Sequence, residues 1–332
     1  MNPDVSVIIP SRNRLWSLPQ CVESCRSTKI SVEIIVVDDG STDGTALWLK
    51  DQKDVVTISA EGWGKPWAVA KALPIAKGTF LRFLDSDDWL TPGANEGQLA
   101  VGMREDADLV ISGYHTYRDQ TLTQTFNWKP TDDFIARQLG EDLAAGGSHY
   151  SAFLFRRSFV QDIPHRMGFP AADFASRDDR CFILEVALRN PVIAFHPEPT
   201  LCHRHHDRSK LQSTSGLRAV GTNLQHLLIY RQILSMLDRA GELTPRRRRA
   251  ATNVLWHVAT WIGRSHAAEA AKVSDWLYEL DPKFVPPGAG LLGICYRQLG
   301  FRQTQRLLRW RRAGLNLWRQ SLRPATSLLE RD

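Results

Sequence analysis

The chain has 332 residues, of which 43% are hydrophobic and 23% charged, with a net charge of +6. These are the proportions of an ordinary globular protein, long enough for one large α/β domain with an appendage or for two domains. No apolar run approaches the length of a membrane span, and the start MNPDVSVIIP has neither a basic n-region nor an h-region. The expectation is therefore a cytoplasmic protein without a signal peptide. Five cysteines, at 21, 25, 181, 202 and 295, form no zinc-ligand spacing and read as reduced packing residues.

Residues 5–9 (VSVII) form an apolar, β-branched run interrupted only by Ser6, the pattern of a strand buried on both faces. A polar loop, Pro10-Ser11-Arg12-Asn13-Arg14, follows and leads into a helix ending near Cys25. Residues 33–37 (EIIVV) predict a second buried strand, ending in the turn-rich segment DDGSTDGT. A shorter strand is expected at 55–58. Pro66 suits the first turn of a helix reaching about Ala76. Residues 79–84 predict a further strand, then come a helix after Thr91-Pro92 and a strand at 108–112. Beyond residue 113 the pattern loosens. A helix is expected at 133–143, strands at 151–155 and 192–195, and a helical run at 181–188 just after Asp178-Asp179. The segment LCHRHHDRS at 201–209 packs three histidines and two arginines together. From about Leu217 onward only helical periodicity is seen. The expected division is 1–212 and 213–332.

Strand, loop and helix in repetition predict a mostly parallel sheet covered by helices, whose ligands bind at the carboxyl ends of the strands. Three polar clusters fall at such ends: Pro10 to Asn13, Asp38-Asp39, and Asp85-Ser86-Asp87-Asp88. Carboxylates crowded at a strand end repel one another, and a divalent cation is the simplest compensation. The alternative is a solvated acidic loop that caps the next helix.

Taken in order, VSVIIPSRNR, EIIVVDDGSTDGT, AKGTFLRFLDSDDWL, an acidic pair before a helix, and R-x-H-x-x-S resemble the family 2 glycosyltransferases over roughly residues 4–210. The resemblance implies a GT-A fold, a nucleotide-diphosphate sugar donor, a divalent metal (Mn2+ or Mg2+) and inversion at the anomeric carbon. It implies Asp179 as the base, with Asp178 in place of the usual glutamate as a possible acceptor contact. It also maps Arg204, His206 and Ser209 onto the R-x-H-x-x-S segment. His206 is then a metal or phosphate ligand, and Arg204 and Ser209 are phosphate contacts. His203 and His205 are read as ordinary loop residues.

Within that framework Asp39 can accept the N3 proton of uracil, which favours a UDP-sugar, while Asp38 is read as structural. Asp85 and Asp87 share one side of an extended chain. Asp87 is assigned to the metal and Asp85, with Ser86, to the nucleotide-sugar. Asp88 supplies a second metal oxygen or orients the loop. Pro10, Ser11 and Arg12 complete the donor side. One departure concerns the arginine that the family carries before this strand. Val69 occupies its place, and Lys65 or Lys71 supplies the charge without bidentate geometry. Trp63 and Trp67 either wall the donor pocket or pack in the core.

The basicity belongs to the C-terminal third. Residues 297–323 carry eight arginines and no acid, and Arg246 to Arg249 is an unbroken run. Trp and Leu interleaved with arginine over 302–322 suit an interfacial helix at the inner face of an anionic membrane. A solvated helix packed on protein is the plainer reading. The acceptor is expected to be a glycan, a lipid-linked sugar or a protein. Two rival functions are a non-catalytic nucleotide-sugar-binding scaffold and a nucleic-acid binder using the basic tail, the latter less favoured.

Overall fold

The structure is a computed structural model that describes residues 2–27, 29–62, 64–128, 130–141, 149–163, 165, 178–208 and 216–321. It begins with β1 (Val5–Ser11), α1 (Leu18–Cys25), β2 (Val32–Asp38), α2 (Thr45–Lys50), β3 (Val55–Ser59) and α3 (Lys65–Ala72). Next come β4 (Phe80–Phe83), β5 (Trp89–Leu90), α4 (Ala94–Arg104), β6 (Leu109–Ile111), β7 (Tyr114–Arg118) and β8 (Thr121–Phe126). They are followed by α5 (Phe134–Gln138), a 3-10 turn (Tyr150–Ala152), β9 (Leu154–Arg156), α6 (Arg157–Val160) and α7 (Asp178–Leu188). β10 (Ile193–Phe195), β11 (Leu201–His205) and α8 (Gly216–Arg239) complete this part.

Among the described residues a seven-stranded sheet runs in the order β10-β6-β9-β4-β1-β2-β3. β1 pairs in parallel with both β2 and β4, so the expected buried strands lie side by side at its centre. All seven residues of β1 are buried, as two covered faces require. Each fully buried Val, Ile or Leu contributes about 1.5–3 kcal/mol of hydrophobic stabilisation. β9 is the exception to parallel pairing, running antiparallel to β4 and β6. It starts later than residues 151–155 suggested, because the 3-10 turn takes up Tyr150–Ala152 and the His149 ring accepts the Ser151 N–H.

β4 carries Arg82, which is fully buried. Its guanidinium donates to Asn95 Oδ1 at 2.8 Å, to the Ser151 carbonyl at 3.0 Å and to Gln98 Oε1. Burial lowers it to about 10. Just before β4, a Cβ at Gly78 would come within 2.3 Å of the Ser6 nitrogen, so no side chain fits there.

A second sheet runs β5-β11-β7-β8. The loosened pattern after residue 113 conceals this β7–β8 hairpin. Its turn residues, Asp119 and Gln120, have φ of 47° and 65° without a glycine to announce them. β11 pairs antiparallel with β5 and parallel with β7. Because β5 directly follows the D-S-D-D turn, this pairing draws the histidine-rich segment onto that turn.

The chain separates into two compact units, Met1–Glu242 and Leu243–Asp332. The expected edge at 212/213 lies outside the described residues, and α8 falls in the first unit. There Tyr230 is fully buried and its hydroxyl donates to the Leu139 carbonyl at 2.8 Å. The second unit holds α9 (Pro245–Ile262), α10 (Ala267–Leu280) and α11 (Leu291–Ser321). Thr244 caps α9 by accepting the Arg247 N–H, and Pro245 opens its first turn. Trp256, Tyr296 and Phe301 pack edge-to-face and stacked at the core. Gly300, at φ 75°, breaks α11 in two.

Candidate active site

The ends of β1 and β2 are tied together by their loops. The Asp39 N–H donates to the Ser11 carbonyl at 2.8 Å, and its buried carboxylate accepts the Gly64 N–H at 2.8 Å. Asp38 accepts the Ser41 N–H at 3.2 Å, which closes the turn after β2. Asn13, in the left-handed region at φ 55°, clasps the second loop: its Oδ1 accepts the Thr42 N–H at 2.7 Å and its N–H donates to Ser41 Oγ at 2.8 Å. Gly40, at φ 76°, provides the turn that this clasp needs. Pro10 and Ser11 are buried, and Ser11 Oγ has no hydrogen-bond partner among the described residues. Arg12 is exposed, with its guanidinium beside Gly62.

At the end of β4 the four residues of the D-S-D-D turn diverge. Asp85 meets Lys65 Nζ at 2.7 Å. The Ser86 carbonyl accepts Ser17 Oγ–H at 2.9 Å. Asp87 Oδ2 lies 3.0 Å from His206 Nε2 and 3.7 Å from Arg14 Nε. Burial alone would raise the Asp87 carboxyl, but the His206 hydrogen bond and the Arg14 charge outweigh it and hold it at about 2.

Asp88 points elsewhere and is only 1% exposed. Its Oδ1 accepts the Arg204 N–H at 2.8 Å, and its Oδ2 lies 3.1 Å from His203 Nδ1 and 3.8 Å from His149 Nε2. Burial pushes the Asp88 carboxyl up. Burial acts to lower His203, but Asp88 outweighs it and holds the imidazole above its ordinary value. Burial, with His203 and Lys65 adding to it, keeps His149 far below its ordinary value and therefore neutral.

Arg204 anchors this arrangement. Its Nε donates to the Asp87 carbonyl at 2.9 Å, and its guanidinium lies 4.6 Å from the Trp89 ring and 5.6 Å from the Trp16 ring. Trp16 also meets the edge of His206 at 4.9 Å and the Arg208 guanidinium at 4.6 Å. The structure thus brings Asp85, Asp87, Asp88, Arg204 and His206 to one strand end. Asp87 and His206 form one pair, while Asp88 belongs to a separate set with His203 and His149.

Asp179 stands in the first turn of α7, half-buried, with its Oδ1 accepting the Arg180 N–H at 2.8 Å. Arg180 in turn reaches the Gln138 carbonyl, which ties α7 to α5. The side chain of Asp178, and Ser209 and Trp63 entirely, lie outside the described residues. Sequence reasoning missed His149 and the Trp16–Trp89 pair of aromatic walls. His149 stands 61 positions from Asp88, and nothing in the chain between them signals the contact.

The model of the family described as "Glycosyl transferase family 2" matches residues 6–163. A PGL/p-HBAD biosynthesis glycosyltransferase of Mycobacterium bovis is 32% identical over 197 residues, 54% of this chain and 70% of that protein. The Escherichia coli UDP-Glc:alpha-D-GlcNAc-diphosphoundecaprenol beta-1,3-glucosyltransferase WfaP is 33% identical over 138 residues, 40% of this chain and 54% of that protein. The first of these is spanned over two thirds of its length and the second over about half. Among solved structures, S. aureus TarS 1-349 in complex with UDP-GlcNAc superposes with a TM-score of 0.65 at 17% identity, covering 92% of each chain. That likeness establishes the fold, a mostly parallel α/β sheet of GT-A type followed by helices. The chain belongs to glycosyl transferase family 2, and its chemistry is sugar transfer.

Proposed function

We propose that this protein is an inverting, metal-assisted transferase that moves a sugar from a UDP-sugar to an acceptor hydroxyl. The observation that carries the reading is Asp87, held ionised against His206 and Arg14 at the carboxyl end of β4. These residues fit a divalent cation. Asp87 offers a hard oxygen, His206 offers a nitrogen, and His206 Nδ1 is buried with no partner among the described residues. An oxygen–nitrogen pair suits Mn2+ somewhat better than Mg2+. When bound, such a cation stabilises the charge that develops on the diphosphate leaving group.

The chain's own residues do the rest. Asp39, rigidly held by the Gly64 N–H, accepts the uracil N3–H, and Pro10, Ser11 and Arg12 line the same strand ends. Asp85 and Ser86 face the ribose side, and Lys65 supplies the cation that Val69 does not. Arg204 and Arg14 add positive charge beside the diphosphate, with Ser209 assigned there by the family pattern. Asp179 accepts the proton of the acceptor hydroxyl as it attacks, and Asp178 contacts the acceptor. WfaP's name specifies a UDP-sugar and a lipid-diphosphate acceptor, which supports a UDP donor and a lipid-linked or other glycan acceptor here.

The second unit supports peripheral contact with an anionic membrane through 302–322, at the cytoplasmic face. Leu307 is 54% and Trp310 80% exposed, among exposed Arg306, Arg309 and Arg311. No helix among the described residues is long and apolar enough to cross a membrane. Sedimentation with anionic but not neutral vesicles supports this contact, while salt-sensitive binding of DNA in their place contradicts it.

The reaction itself is tested with Asp179→Asn. The variant should bind UDP-sugar and Mn2+ as the wild type does and lose roughly 100-fold or more in transfer rate. NMR of the product anomer should show inversion. Transfer at the wild-type rate by Asp179→Asn removes the assignment of the base, and a retained anomer removes the mechanism.

A further inference from the structure

Adjacent carboxylates of the D-S-D-D turn enter different histidine environments. Asp87 faces His206, and this pair is assigned to the donor cation. Asp88 faces His203 and His149, and no step of the proposed transfer uses this second set. We propose that Asp88, His149 and His203 form a separate site for a transition-metal dication of the zinc class.

The geometry is close to that of such a centre. A tetrahedral cation with bonds of about 2.0–2.1 Å separates its ligand atoms by about 3.3 Å. Here Asp88 Oδ2 lies 3.1 Å from His203 Nδ1 and 3.8 Å from His149 Nε2. The three ligand atoms all lie within 4.8 Å of one another. The two rings are already neighbours, with centroids 4.7 Å apart.

Three elements frame the site. Asp88 sits on the turn between β4 and β5, with its N–H fixed on the Asp85 carbonyl at 3.0 Å. His203 projects from β11, held beside that turn by the β5–β11 pairing. His149 precedes the 3-10 turn at Tyr150–Ala152. The Arg204 N–H occupies Asp88 Oδ1 and leaves Oδ2 toward the rings, the orienting contact that ligating carboxylates usually have. Asp88 is sealed from solvent, whereas the His149 and His203 side chains are 19% and 29% exposed. The open side of the cluster therefore leaves a fourth position for water or a small ligand. Ligation through His149 Nε2 exchanges one contact. The ring's Nδ1, which accepts the Ser151 N–H at 3.3 Å, would carry the proton instead.

The donor set also sets the metal class. Two imidazoles and one carboxylate prefer Zn2+, Co2+ or Ni2+ over Mg2+ and Ca2+. An ion bound here would cross-link β11 to the D-S-D-D turn. That would fix the backbone from which Asp87 and Arg204 face the donor. The site is distinguished from the donor centre by its ligands and by its preference for softer cations.

The test is titration of the full chain with Co2+ in the absence of nucleotide, followed by the visible d–d absorption of four-coordinate Co2+. Wild type should bind one Co2+ per chain at this site and release it to Zn2+ but not to Mg2+. His149→Asn and His203→Asn should each weaken that signal at least tenfold, while Asp87→Asn keeps it. His149→Asn retains an acceptor for the Ser151 N–H, so it preserves the turn, and thermal melts verify folding of every variant. Absence of the band in wild type overturns the proposal. So does a band that survives in His149→Asn or disappears in Asp87→Asn. Because no donor is present, these outcomes are independent of whether the proposed transfer reaction is correct.

Discussion

Replacing Asp87 with asparagine removes one negative charge from between His206 Nε2, at 3.0 Å, and Arg14 Nε, at 3.7 Å. The carboxyl is held at about 2 instead of its ordinary 3.8. Just under two pKa units correspond to about 2 kcal/mol in favour of the ionised form. The Asp87 side chain keeps 23% exposure, so solvent screening reduces this, and Asp87→Asn should destabilise the protein by roughly 1–2 kcal/mol at pH 7. The sign follows from linkage. A carboxyl lowered in the folded state stabilises it fully above the unfolded value and loses that contribution as pH falls from about 4 toward 2. Urea denaturation should therefore show wild type and variant converging across that window. Activity should fall much further, by roughly 100- to 1000-fold in transfer to acceptor, because the assigned cation loses its oxygen ligand. Release of free nucleotide from a UDP-sugar in Mn2+ measures this. Wild-type turnover by folded Asp87→Asn would refute the reasoning.

Other perturbations probe the frame. Arg82→Leu strands Asn95 Oδ1, Gln98 Oε1 and the Ser151 carbonyl in the core, and should cost roughly 3 kcal/mol by urea denaturation. A loss below about 1 kcal/mol would contradict the hub role. Burial moves His165 from its ordinary 6.5 to about 3. The unfolded chain then binds the extra proton between those values, so stability should decline as pH falls below about 6.5. His165→Phe should flatten that slope, and an unchanged slope would remove His165 as its source. Lys65→Met frees Asp85 from its 2.7 Å ion pair and should raise the KM for UDP-sugar roughly tenfold with kcat little altered. A fall in kcat alone would place Lys65 in the chemical step.

The central strands were legible because both faces are buried. VSVII and EIIVV are apolar apart from Ser6 and Glu33, the pattern that a strand covered on both faces requires. The strand-end rule then located Asp38, Asp39 and the D-S-D-D turn. The β7–β8 hairpin was not legible. Five of the six residues in β8 are exposed, so burial imposes no pattern on its Thr-rich sequence. The helix expected at 133–143 ends at Gln138, because the chain turns at Leu139 and Gly140, where Gly140 takes a φ of 107°; residues 142–143 lie outside the described residues. At the site, local spacing put Asp85 and Asp87 on one side of an extended chain and left Asp88 ambiguous, whereas the chain turns there and sends Asp85 to Lys65 and Asp87 to His206. Its environment is built from β11 and the residue before a 3-10 turn, and only tertiary pairing brings those together. His203 gained its contact the same way: the β5–β11 register places Cys202 opposite Trp89, next in the chain to Asp88.

The central claim is that the strand-end cluster binds a uridine-diphosphate sugar through a divalent cation. It is tested most directly by calorimetric titration of the full chain with UDP-, GDP- and dTDP-sugars, each with and without Mn2+. The account predicts that a UDP-sugar binds in Mn2+, that chelation weakens it at least tenfold, and that Asp87→Asn and His206→Ala reproduce the chelated result. Absence of binding by every nucleotide sugar in Mn2+, or binding that neither chelation nor Asp87→Asn changes, would contradict it.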